Sequence, residues 1–331
     1  MSLGSSKKCG PSSERLMWCS LNGCIVSSIR RNVIYGANPR KPGFPVLNGR
    51  RTVSVDAIQT KMKSYTERID RAVAKELAAY AHSRFHDPLV YAVESGKRVR
   101  PLILLLSAEA LGCRDDSVLD AAVAVELLHT ESIIHDDIID EEVARRDRMT
   151  FHVKYGFSAS LLTADFVFAM ILAIAARYKD RRVAEELSNA ALRMSEGEYS
   201  ELTIDPKVYK LEWDEYLRIV TGKTAALFET SSKLGALIGG GSEKEVAALA
   251  NYGKYLGIAY QIRDDLLDWR AQDKVAVGLL RSYSEGEVVG KMTALSQTYA
   301  EEAKEQLMPL PRSSAAEFLE NLTDFTIYRK Y

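Results

Sequence analysis

Two eight-residue stretches of this 331-residue chain echo each other, and they restrict its fold more than any other feature. Residues 133–140 read Ile-Ile-His-Asp-Asp-Ile-Ile-Asp, and residues 261–268 read Gln-Ile-Arg-Asp-Asp-Leu-Leu-Asp. Each sets an Asp-Asp-x-x-Asp trio in an apolar run with helical spacing. On a helix, Asp136 and Asp140 share one face, as do Asp264 and Asp268, while Asp137 and Asp265 lie about 100° around. Acids in such surroundings are expensive to bury unless something neutralises them. No Lys or Arg stands four positions away on the same face, and Arg263 adjoins the second trio without facing it. A hard divalent cation is the better partner, since Mg2+ prefers carboxylate oxygens, keeps water ligands and bridges to phosphates. Two such helices facing each other would cage metal ions and a diphosphate. One trio alone would fit a solvated acidic face. Its repetition among Leu and Ile decides against that.

The sequence around the trios is helical. From Val55 onward Ile58, Met62, Tyr65, Ile69 and Val73 recur at helical spacing, and periodic segments follow at about 97–111, 116–144, 157–178, 181–202, 212–237, 243–270 and 291–307. The first such segment runs over about 56–81. No run sustains period-two alternation. With only 20 Gly and 9 Pro, long helices are favoured over turn-rich β structure. The expectation is an all-α domain over 56–331, with helices long enough to form a bundle. Asp115-Asp116-Ser117 and Ser242-Glu243-Lys244-Glu245 have the residues of helix starts. The longest apolar stretch, Leu161 to Ala176, is broken by Asp165 and is shorter than the ~20 residues of a transmembrane helix, so a buried core helix is expected there.

Lys and Arg number 44 against 45 Asp and Glu, a net charge of −1, which argues against a nucleic-acid or anionic-membrane binder. That balance averages unlike regions. Residues 1–55 carry Lys7, Lys8, Arg15, Arg30, Arg31, Arg40, Lys41, Arg50 and Arg51 against the single acid Glu14, in a Ser-, Gly- and Pro-rich context without periodicity. This basic, low-complexity extension fits a transit peptide, sequence upstream of the natural start, or a disordered arm, and composition does not separate the three. Cys9, Cys19, Cys24 and Cys113 form no C-x-x-C pair, so neither a disulfide scaffold nor a zinc site is expected. A reducing, cytoplasmic compartment fits, with organellar import left open by the basic stretch.

Basic residues complete the pattern. Lys97, Arg98 and Arg100 cluster at a helix N-terminus, where backbone amides and dipole already favour anions. Arg145-Arg146 follow the first trio, Lys223-Thr224 lie in another helix, and Lys291 comes after the second trio. Arg pairs with phosphate through two parallel hydrogen bonds, and Lys adds point charge. The arrangement suggests two diphosphates, one held through metals and one by Lys and Arg alone. His129, two turns before Asp136, faces the same way.

On these residues the sequence, from about Ser64 to the C-terminus, resembles the trans-isoprenyl diphosphate synthases, short- to medium-chain members such as geranylgeranyl diphosphate synthase included. The resemblance implies the isoprenoid synthase fold, a single bundle of roughly ten or more helices around a central cavity. It implies Mg2+-dependent head-to-tail condensation of isopentenyl diphosphate with an allylic diphosphate, with three Mg2+ per site and a homodimer. Gly96-Lys97-Arg98-Val99-Arg100-Pro101 matches the isopentenyl diphosphate motif, so that Lys97, Arg100, His129 and Arg146 would bind that substrate. Arg145, Lys223, Thr224, Gln261 and Lys291 match positions for the allylic diphosphate. Asp136, Asp137, Asp140, Asp264, Asp265 and Asp268 would form the metal site, with Asp136, Asp140, Asp264, Lys223 and Arg145 as the catalytic set. Arg329-Lys330 resembles a basic tail that closes over the site. Product length would depend on Ala124, Leu128, Glu131 and Ser132, the tunnel wall before Asp136. The absence of an aromatic residue at 131 or 132 favours a product of C20 or longer.

The sequence departs from the family pattern in places. Asp147 stands where Gly is usual, Ala164-Asp165 where Gly-Asp is common, and Leu295 replaces a Pro. The first basic position after the second trio is filled by either Lys274 or Arg281. A class I terpene cyclase would share the fold and metal-bound diphosphate but would not need Lys97, Arg100 and His129. A non-catalytic subunit of a heteromeric synthase would typically lose one trio, and this chain keeps both.

Overall fold

A computed structural model describes residues 55–94, 96–267 and 275–328. Asp268, Lys274, Arg329, Lys330 and residues 1–54 lie outside the described residues. The described helices are α1 (Val55–Ala78), α2 (His86–Val93), α3 (Val99–Ala110), α4 (Ser117–Ile139), α5 (Phe151–Tyr155), α6 (Phe157–Ala175), α7 (Arg182–Leu202), α8 (Trp213–Val220), α9 (Ala226–Ile238), α10 (Glu243–Leu267), α11 (Glu285–Gln306) and α12 (Ser314–Tyr328). A π-helix, Thr221–Ala225, joins α8 to α9, and a 3-10 helix, Val275–Arg281, precedes α11. Two two-residue strands, β1 (Ala144–Arg145) and β2 (Arg148–Met149), pair antiparallel. The fold is all-α, as the periodicity predicts.

The centre is α3, α4, α9 and α10. In α3 an apolar run enters the core whole, with Leu102, Ile103, Leu104, Leu105 and Leu106 all buried. Each such burial contributes about 1.5–3 kcal/mol. Pro101 sits in the first turn, where a missing N–H costs nothing. Glycines bring the central helices into backbone contact. A Cβ on Gly235 would stand 2.2 Å from the Leu104 carbonyl oxygen of α3, and one on Gly253 would stand 2.3 Å from that of Phe228 in α9. Ser107 and Ser232 exchange a 2.9 Å hydrogen bond across the α3–α9 seam.

Three expectations change. The segment expected to be helical to residue 144 ends at Ile139, because Asp140, Glu141 and Glu142 crowd the negative end of the helix dipole and Glu141 turns to φ 51°. The chain then forms the β1–β2 hairpin. The segment 212–237 is two helices joined by the π-helix, not one. Finally, α6 is not enclosed: it buries Ser160, Thr163, Ala164, Val167, Met170, Ile171 and Ile174, but Phe157, Leu161, Leu162, Phe168 and Leu172 are exposed. Both expected helix starts are present. Ser117 N–H donates to Asp115, and Ser242 and Glu245 cap each other reciprocally.

Candidate active site

The end of α4 delivers the first trio. Asp136 is half-buried, Asp137 is buried, and Asp140 is exposed at the helix C-cap. The middle acid has a protein partner: Arg145 Nε donates to Asp137 Oδ1 at 2.6 Å. Burial pushes the Asp137 carboxyl above its usual range, against the pull of Arg145. The second trio repeats this. Asp265 is buried and accepts from Tyr216 Oη at 2.5 Å and from Gln261 Nε2 at 2.8 Å, while Thr224 Oγ1 donates to Gln261 Oε1 at 2.8 Å. Gln261 and Thr224 therefore join the support of the second trio. In both trios the middle acid is buried and tied to protein, while the first is only half-buried.

Lys223, carried by the π-helix, reaches Glu198 at 2.6 Å and Glu201 at 2.7 Å on α7. π-helical turns mark functional positions because one extra residue re-aims the side chains around it. Burial alone would lower the Lys223 ammonium, but Glu201, Asp136 and Glu198 outweigh it and hold it above the usual lysine range. Burial raises both the Asp136 and Glu198 carboxyls, and each lies within the other's influence. Glu198 and Glu201 were not expected from the sequence. Acids recur along α7, and nothing in their spacing separates these two from Glu185, Glu186 or Glu196.

Beside α4, Arg98, His129, Arg145, Arg146 and Arg148 line a cleft. Arg98 is structural. It caps α3 in the left-handed region at φ 53°, and binds Asp70 at 2.8 Å, Glu126 at 2.6 Å and the Val93 carbonyl at 2.6 Å. Glu126 is a second group the sequence does not announce. Arg100 Nη1 meets His129 Nε2 at 2.9 Å, and its guanidinium lies 4.9 Å from the Phe228 ring centroid. Burial, aided by Arg100, Arg146, Arg145 and Arg98, drives His129 well below its usual range, so the ring is neutral and accepts from Arg100. Arg100 is itself lowered by burial, and its Nε is buried without a hydrogen-bond partner. Arg146 and Asp147 form the two-residue turn between β1 and β2, at φ 53° and 60°. Tyr91 Oη holds this hairpin by donating to the Met149 carbonyl at 2.7 Å.

The remaining expected residues are dispersed. Lys97 is exposed at the entry to α3. Lys291 is exposed on α11, with its ammonium 4.5 Å from the Trp213 ring centroid, on an indole rather than a carboxylate. Ala124 and Leu128 are buried in α4. Glu131 lies 3.2 Å from His135 Nδ1, and Ser132 Oγ donates to the His129 carbonyl at 3.0 Å. Of the α6 aromatics, Phe166 stacks on Phe85 at 4.6 Å while Phe168 faces outward.

Asp136, Asp140, Asp264 and Glu198 offer oxygen donors only, the chemistry a hard divalent cation takes. The mutual influence of Asp136 and Glu198, both raised by burial, fits a site built for added positive charge. Among the described residues no three His, Cys, Asp or Glu converge closely enough to hold a metal ion.

A model of the polyprenyl synthetase family matches residues 82–308. The chain is 32% identical over 252 residues to a short chain isoprenyl diphosphate synthase of Methanothermobacter thermautotrophicus, covering 74% of this chain and 76% of that one. It is 34% identical over 221 residues to a geranylgeranyl diphosphate synthase of Methanosarcina mazei, covering 65% and 68%. The crystal structure of a decaprenyl diphosphate synthase from Rhodobacter capsulatus superposes with a TM-score of 0.73 at 27% identity, covering 82% of this chain and 98% of that one.

Proposed function

The chain belongs to the polyprenyl synthetase family and is an all-α prenyltransferase of isoprenoid biosynthesis that elongates trans-prenyl chains, and on that premise we propose how its site divides the work. Isopentenyl diphosphate is held by Lys97, Arg100, His129 and Arg146. The allylic diphosphate is held by Arg145, Lys223, Thr224 and Gln261, with Lys291 reaching it from α11. Asp136, Asp140 and Asp264 hold the divalent ions, three Mg2+ in this reading, with Asp137 and Asp265 bracing them from behind. Asp268 belongs to the same set.

One observation carries this reading. Arg100, hydrogen-bonded to neutral His129, feels the charge of both Asp136 and Asp264, which supports a common site for the two trios and the basic anchor. Bound magnesium supplies the charge that neutralises a departing diphosphate. Lys223 and Arg145 add hydrogen-bond donors where that charge develops. Arg100, with its neutral His129 partner, orients the second diphosphate so that the isopentenyl double bond meets the allylic carbon. The apolar wall of Ala124 and Leu128 excludes water from the allylic cation. The proton lost on closing the new double bond goes to the released diphosphate, so no protein base is required. With no aromatic residue at 131 or 132, the product is C20 or longer. The working form is a homodimer, supported by the exposed apolar face of α6, and the compartment is the cytoplasm.

Incubation with Mg2+, labelled isopentenyl diphosphate and each allylic primer tests this. Chain analysis should give products of C20 or longer, and Asp136→Asn should lower kcat at least about 100-fold. No condensation with any primer, or full activity in the variant, would refute the assignment.

A further inference from the structure

Beyond the residues that bear on substrate, the site contains a lysine clamp. Glu198 and Glu201, three positions apart on α7, take the Lys223 ammonium at 2.6 and 2.7 Å. The approach is set by backbone rather than by side-chain reach. Gly197 lies so close to the π-helix that a Cβ there would stand 2.3 Å from Lys223 N and 2.8 Å from the Gly222 carbonyl carbon. Gly222 in turn lies against Arg193 and Gly197, so two glycines seat the helices on each other. A lysine carries its charge on a flexible four-carbon stem and, unlike arginine, has no rigid fork to fix direction. Two carboxylates from one helix supply the direction its own chemistry lacks. Asp136 adds its negative charge beside the clamp, acting on both Lys223 and Glu198.

We propose that Glu198 and Glu201 are positioning residues for Lys223, holding its ammonium so that it meets the allylic diphosphate already aimed. This rests on the proposed role of Lys223 at that diphosphate. A clamp that merely fastened α7 to the π-helix would contribute stability without distinguishing the two substrates.

A double-mutant cycle on the full chain separates these cases. Glu201→Gln removes one Lys223 partner and leaves the other, Glu198, in place. It should raise KM for the allylic diphosphate about tenfold, the scale on which supporting residues act, with KM for isopentenyl diphosphate unchanged. Glu201→Asp should restore most of the loss. In a Lys223→Gln background, Glu201→Gln should add little, because its effect passes through the lysine. Glu198→Gln should show the same preference for the allylic substrate, with a further loss from Asp136. An unchanged allylic KM, equal changes in both KM values, or full additivity with Lys223→Gln would overturn the proposal. An unaltered allylic KM in Lys223→Gln alone would overturn the role of the lysine itself, and the clamp with it.

Discussion

At the scale of single residues, the site is governed by how the protein keeps like groups apart. His129 stands among four arginines and stays neutral, because a charged ring would be both buried and repelled. In the unfolded chain the same histidine titrates near 6.5. Its contribution to stability is therefore complete above that pH and is lost as pH falls below it, since only the unfolded chain then binds the proton. The slope for one such group is about 1.4 kcal/mol per pH unit. Urea unfolding at pH 6.5 and 5.5 should show the native protein losing about 1 kcal/mol more stability than His129→Gln, which keeps a hydrogen-bond acceptor for Arg100. Equal losses would show that His129 is charged in the fold. The expected ligand residues were legible in the sequence as types and spacings, but not the partners of the middle acids. Arg145 is eight positions from Asp137, and Tyr216 is forty-nine from Asp265. The departure at Asp147 has a backbone reason. The position takes φ 60°, which glycine adopts freely and which a short polar side chain such as aspartate tolerates better than most.

At the scale of elements, the site depends on one irregular turn and the helix beside it. Periodicity made 212–237 a single helix because a π-helical insertion adds one residue and barely disturbs the apolar stripe. What the pattern could not reveal is that Gly197, far away in sequence, packs against that turn. Gly197→Ala tests the contact. The new methyl would overlap backbone, which cannot swing aside as a side chain can, so α7 must move. Overpacking of this kind costs about 1–3 kcal/mol. Thermal unfolding should record that loss, and KM for the allylic diphosphate should rise with it, because α7 carries Glu198 and Glu201 out of reach of Lys223. A variant with native melting temperature and native allylic KM would show that the helices have slack here. The short α2 and α5 escaped the sequence reading because five to eight residues hold too few turns for a period to register. In contrast α3, α4 and α10 were legible because each is long and largely apolar, and together they carry most of the site.

At the scale of the whole molecule, α6 poses the remaining question. It is the one described helix long and apolar enough to cross a membrane by length and composition. It packs against α4, and its inner face buries Thr163, Ala164, Val167 and Met170, a packing that a membrane-spanning helix would have to surrender. Its outer face leaves Leu162 at 58% and Leu172 at 57% exposure, with Phe157, Leu161 and Phe168 beside them. The sequence showed the apolar content of this segment but not its two-sidedness, since both faces are apolar and the moment that would distinguish them is small. Leaving several large apolar side chains in water forfeits about 1.5–3 kcal/mol each, and contiguous patches of this kind mark contact surfaces. A second copy of the chain is the partner that a two-fold interface would bring, pairing α6 with itself. Sedimentation equilibrium should therefore give a dimer for the native protein and a monomer for Leu162→Glu/Leu172→Glu. Both substitutions are at exposed positions, so helical content and the inner packing should survive. A native monomer, or a dimer indifferent to both charges, would free α6 of this role. Retained activity in a monomeric variant would in turn show that each subunit's two aspartate trios and its Lys223 clamp are complete without the partner.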